Sequence, residues 1–144
     1  MNSRHFRSLI DINGQEFKRI IKKAIDYKKM DISNCIPSTY TNKTLAMIFK
    51  KNSTRTRVAF ETAMYKLGGH AIFLSEETTQ LKRGEDISDT ARVLSGMVDL
   101  IMMRTAHMKT LEPLLNSPLS QLSMVYVIYF IHVSYWQIYR LLMK

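Results

Sequence analysis

The chain has 144 residues, 46% of them hydrophobic, with 21 Lys and Arg against 12 Asp and Glu for a net charge of +9. That length and apolar content are enough for one domain with a core and argue against wholesale disorder. The single cysteine, Cys35, excludes an internal disulfide and fits a reducing compartment. The surplus of positive charge points to an anionic partner or to a solvated basic surface, and charge alone does not choose between them.

The first predicted element is a helix. Phe17, Ile20, Ile21, Ala24 and Ile25 recur at helical spacing, with Lys18, Arg19, Lys22 and Lys23 on the opposite face. Asn13 followed by Glu16 reads as a capping box at its start. The polar stretch 33–43, broken by Pro37, reads as a loop. Residues 45–49 form a short apolar run of the kind that makes a buried strand. After the polar stretch 50–57, Phe60, Ala63, Met64 and Leu67 outline a second helix, ended by Gly68 and Gly69. Residues 71–74 are a second candidate strand and 75–86 a charged loop. Ile87, Ala91, Leu94 and Val98 outline a third helix, and residues 100–103 a third strand. This alternation predicts an α/β domain with a parallel sheet and flanking helices. After about Thr110 the character changes: no glycine or acidic residue follows Glu112, and residues 124–131 are an apolar run.

The segment with chemistry in it is Phe49-Lys-Lys-Asn-Ser-Thr-Arg-Thr-Arg57, between a predicted strand and a predicted helix. A small anion placed there meets free backbone N–H groups and the positive end of the helix dipole. Ser53, Thr54 and Thr56 add hydroxyl donors, and Arg55 and Arg57 add guanidinium forks suited to phosphate. A string of this kind taken alone is also compatible with Ser53 as a plain helix cap and solvated arginines.

The string Ser53-Thr54-Arg55-Thr56-Arg57 resembles the carbamoyl-phosphate motif of the aspartate/ornithine carbamoyltransferase family. Lys51, Phe60-Glu61, Leu67-Gly68-Gly69-His70, residues 71–74 and the run Arg83-Gly-Glu-Asp-Ile-Ser-Asp-Thr-Ala-Arg-Val-Leu94 resemble its ornithine branch. Arg4-His5-Phe6, with Leu9 and Asp11, is similar too, so the resemblance covers roughly residues 4–112. It implies an incomplete carbamoyl-phosphate-binding domain over 1–116, with the second domain, which holds the amino acid, absent. The reaction implied is transfer of the carbamoyl group to L-ornithine, giving L-citrulline and phosphate, a cytoplasmic step of arginine metabolism. Carried over by position, Ser53, Thr54, Arg55 and Thr56 hold the phosphate, Arg104 reaches the same ligand from the end of the third strand, and Gln80 reaches it from a loop. In the family that loop extends towards a neighbouring subunit of a trimer; trimer assembly is not expected of this chain. Arg55 and Arg104 are the expected catalytic groups. Lys50 departs from the pattern, standing where the ornithine enzymes commonly carry an acid.

The family's later His-Pro-Cys-Gln motif, which supplies donors to the carbonyl oxygen, does not occur. Losing one such donor costs about 10²–10³ in rate. His107 and His132 lack its context, and His107 reads as a surface or loop histidine. The tail suggests why. If triplets are taken from the last base of one codon and the first two of the next, Met124-Val125 must give Gly, Trp136-Gln137 Ala and Met143-Lys144 Glu. Residues 130–135 can then encode His-Pro-Cys-Gln-Leu, and residues 120–124 permit Pro-Val-Ile-Asn-Gly. The expectation is a frameshift near 116–118, with 117–144 a non-family hydrophobic tail. The third strand would then lose its neighbour, leaving an edge that Tyr126, Ile128, Phe130 and Trp136 could cover only in part.

The chain is thus expected to bind carbamoyl phosphate and to be inactive alone. The alternatives are a stand-alone phosphate- or carbamoyl-phosphate-binding module and a non-functional pseudogene product. No cofactor or metal is expected, because one cysteine and four scattered histidines give no ligand spacing. No nucleic-acid motif accompanies the basic charge. The apolar tail run falls short of the roughly 20 residues of a membrane span. Residues 1–17 contain no apolar signal core, which again predicts a cytoplasmic location.

Overall fold

A computed structural model describes residue 6 and residues 11–79, 87–105 and 125–128. Gln80 and His107, singled out in the sequence, lie outside the described residues. Helix α1 spans Gly14–Ile32. Its start is closed by the expected capping box: Asn13 Oδ1 accepts from the Gln15 and Glu16 amides at 3.0 and 2.9 Å, and Glu16 Oε2 accepts from the Asn13 amide at 3.0 Å. None of its residues is buried, and Asp31 reaches Lys66 as an ion pair.

Strand β1 (Thr44–Phe49) is the centre of the fold, with residues 45–49 all buried. A strand covered on both faces reads as a continuous apolar run rather than an alternation, which is why this one was legible. Helix α2 (Thr54–Lys66) leads to β2 (His70–Ser75), a 3₁₀ turn over Glu76–Thr78 follows, and α3 (Ile87–Ser95) leads to β3 (Leu100–Arg104). The sheet is parallel throughout, in the order β2-β1-β3-β4, with β4 formed by Val125–Ile128. The parallel α/β class predicted from the alternation is the observed one.

Strand β4 comes from the tail. Ile101 to Arg104 pair in register with Val125 to Ile128, so Tyr126 and Ile128, named above as partial cover for this edge, lie along it. The β-branched and aromatic composition of that tetrapeptide suits a strand, and a free ladder on β3 is a ready template for one.

Register sets the two faces. Leu45, Met47 and Phe49 lie level with Ala71, Phe73 and Ser75 on one side and with Leu100, Met102 and Arg104 on the other. Met64 and Phe60 of α2 pack on this face against Leu45, Met47, Phe49 and Met102. The turn out of α2 requires glycine. Gly68 has φ +79, its amide donates to the Tyr65 carbonyl, and the Gly69 amide donates to the Met64 carbonyl. These are the paired bonds of a Schellman ending.

At the amino ends of the strands, Asp99 ties β3 to β1. Its carboxylate accepts from Lys43 Nζ at 2.7 Å and from the Thr44 amide at 2.9 Å, and its own amide donates to the Thr44 carbonyl at 3.0 Å. The Lys43 hydrogen bond first, then that from Thr44, hold its pKa below the ordinary carboxylate value. A depressed folded-state pKa stabilises above the unfolded value, and the benefit fades as pH falls through the folded one. Asp99→Asn is therefore expected to cost about 1–2 kcal/mol at neutral pH, given the partial exposure of the pair. Urea unfolding at pH 7 and at strongly acidic pH should show the gap between variant and parent closing in acid.

Candidate functional site

All four strands end on one level, at Phe49, Ser75, Arg104 and Ile128. The chain leaves β1 towards β2 on one side, then returns to place β3 on β1's other side. The carboxyl ends of β1 and β3 therefore flank the point where strand order reverses, and crevices there are where open α/β sheets take ligands.

The loop after β1 is short. The Lys50 amide donates to the Arg104 carbonyl at 3.0 Å, extending the β1–β3 ladder by one bond, and α2 begins at Thr54. Ser53 is in extended backbone, φ −156 and ψ 100, and its side chain does not cap the helix. Its hydroxyl donates instead to Thr56 Oγ1 at 2.9 Å. No acidic residue lies in the first turn. The contrast with α1 is direct: there a side chain fills the first amides, whereas at α2 no cap side chain does. The reading of Ser53 as an ordinary cap is thus replaced by one in which it is fixed by Thr56.

Arg55 stands exposed in this first turn and makes no hydrogen bond or ion pair with any described residue. Thr54 is exposed beside it, while Ser53 and Thr56 are half-buried. Arg104 continues the Leu100–Met102 side of β3, and its Nη1 donates to the Asn52 carbonyl at 3.3 Å. The guanidinium therefore reaches the loop that delivers the start of α2. The structure brings Ser53, Thr54, Arg55, Thr56 and Arg104 to one end of the sheet.

Arg57 does not share that role. Its Nε donates to Glu61 Oε1 at 2.9 Å, and its guanidinium lies 3.9 Å from the centre of the Phe73 ring. The charge is spent on an ion pair within α2, one turn on, and on a cation–π contact that ties α2 to β2. Two features escaped the sequence. The Asn52 contact is made by a backbone carbonyl, which leaves no side-chain signal. The Lys50–Glu76 ion pair, 3.6 Å across the ends of β1 and β2, joins residues far apart in the chain.

Residues 4–128 match the family model described as aspartate/ornithine carbamoyltransferase, carbamoyl-P binding domain. The chain belongs to the aspartate/ornithine carbamoyltransferase family. It is 49% identical over 112 residues to the ornithine carbamoyltransferase of Psychrobacter sp. (strain PRwf-1), an alignment covering 78% of this chain and 37% of that one. Against the ornithine carbamoyltransferase of Chromohalobacter salexigens it is 50% identical over 113 residues, again 78% of this chain and 37% of the relative. Among solved carbamoyltransferases, the Burkholderia thailandensis ornithine enzyme superposes with a TM-score of 0.77 at 36% identity, covering 86% of this chain and 42% of that one. The catalytic subunit of M. jannaschii aspartate transcarbamoylase gives 0.76 at 31% identity, covering 88% and 42%. The fold is that of the carbamoyltransferase N-terminal domain, and the chain spans under two fifths of the length of these curated carbamoyltransferase relatives. No described helix is long and apolar enough to cross a membrane.

Proposed function

We propose that the crevice over the β1 and β3 ends binds carbamoyl phosphate, with Ser53, Thr54, Arg55, Thr56 and Arg104 as the anion-holding residues. The observation that carries this reading is the start of α2: no side-chain cap from Ser53, two arranged hydroxyls and an arginine that pairs with no described residue, with the Arg104 guanidinium bound to the loop below. A dianion there gains charge-assisted hydrogen bonds of about 1.5–3 kcal/mol each. Several such bonds support micromolar affinity, about −8 kcal/mol. Gln80 is proposed to contribute from its loop. Arg55 and Arg104 would neutralise charge growing on the leaving phosphate while an amine attacks the carbamoyl carbon.

Ornithine is the proposed acceptor, after the relatives' names. The chain by itself is proposed to bind without turnover, because its 144 residues carry no His-Pro-Cys-Gln. Residues 1–116 are proposed as the family domain and 117–144 as a tail read out of frame, in a cytoplasmic protein. Sequencing the gene tests the tail: a shifted frame that does not continue as a carbamoyltransferase removes the idea. A stand-alone carbamoyl-phosphate-binding module is the second reading, favoured by the pairing of β4 with β3, which occupies the edge the domain would otherwise expose.

The experiment is a paired one on the full chain. Calorimetry with carbamoyl phosphate is expected to show saturable micromolar binding, and a citrulline assay with ornithine no turnover above background. No binding heat overturns the site; measurable citrulline overturns the claim of inactivity.

A further inference from the structure

We propose that Lys50 and Glu76 form a positioning pair that sets the anion loop, residues 50–53, over the sheet ends; the inference rests on the anion site proposed above. Phe49 and Ser75 are register partners, so Lys50 and Glu76 are the next residues past the ends of β1 and β2. Their side chains meet as an ion pair at 3.6 Å, each about a third exposed. Glu76 is itself placed by the 3₁₀ turn it opens, where Ser75 Oγ accepts from the Glu77 amide at 3.2 Å. On its other side Lys50 donates its backbone amide to the Arg104 carbonyl at 3.0 Å. One residue thus joins the ends of three strands: its amide holds β3 and its side chain holds β2. Two residues on, Asn52 offers the carbonyl that receives Arg104. A displaced Lys50 moves both the loop and the guanidinium that the loop orients.

The cation stands at 50 and an acid at 76 faces it, so the ammonium is committed sideways rather than to the ligand. A positioning role and a direct electrostatic role make opposite predictions for Glu76→Lys. Direct attraction of the anion would tighten binding when a positive charge is added. A positioning role weakens it, because two ammonium groups then repel across the loop.

The test is calorimetric titration of the full chain with carbamoyl phosphate, in the parent and in K50E, E76K, K50R and the exchanged double variant K50E/E76K. Expected are losses of about fivefold for each charge-reversing single variant, the scale of a partly exposed ion pair. K50R should stay within about twofold of the parent, and the exchanged pair should recover most of the lost affinity. Tighter binding by E76K, unchanged binding by K50E, or an exchanged pair no better than the singles would each overturn the pair's role. A parent chain that gives no titration removes the underlying site, and this inference with it.

Discussion

Arg55→Ala is expected to weaken carbamoyl phosphate binding about 10- to 100-fold, the ~1.5–3 kcal/mol of a charge-assisted hydrogen bond. The same change should leave stability within about 0.5 kcal/mol, because the side chain is exposed and engages no described residue. That separation of affinity from stability is what makes the variant informative. Arg55→Lys keeps a charge but loses the fork, so it should recover only part of the affinity. Calorimetry for affinity and a thermal melt for stability check both halves. Unaltered heat in Arg55→Ala would dismiss the arginine, and a large fall in Tm would show that it holds the fold rather than a ligand.

The second large effect falls on stability. Phe49→Ala should cost about 3–5 kcal/mol, the usual range for emptying an aromatic site in a core. Phe49 is 1% exposed, packs in the cluster beneath α2, and meets Phe73 with ring centroids 5.2 Å apart at 53°. Domains are stable by only about 5–15 kcal/mol, so the variant should lose a large part of its folded margin and melt at least ~10 °C lower. Phe49 also immediately precedes the anion loop, so ligand affinity should fall with stability here, unlike in the Arg55 series. A melt displaced by no more than a degree or two would contradict the account of the core.

What the sequence disclosed follows from where its signals are local. Residues 45–49 and 100–103 announced buried strands because a central parallel strand is apolar on both faces. Asn13 with Glu16, and Gly68 with Gly69, marked helix ends because caps are made by the residues themselves. The site string was legible for the same reason, since strand, turn and helix start are contiguous. Its two arginines were not distinguishable until the helix start was fixed. Positions two apart on a helix do not share a face, so Arg55 and Arg57 part company, one towards solvent and one to Glu61 and Phe73. Contacts between distant segments left no trace in the string: Arg104 on the Asn52 carbonyl and Lys50 on Glu76. The apolar tail run suggested cover for an edge, but composition does not encode a partner or a register.

The most direct test of the anion site is residue-resolved. Titrating the isotopically labelled full chain with inorganic phosphate and then carbamoyl phosphate, while following backbone amide resonances, should move the amides of Thr54, Arg55 and Thr56 most, with saturation. Shifts spread instead over the basic face of α1, at Arg19, Lys22 and Lys23, with none at the start of α2, would mean that the positive charge is a diffuse surface and that no such site exists.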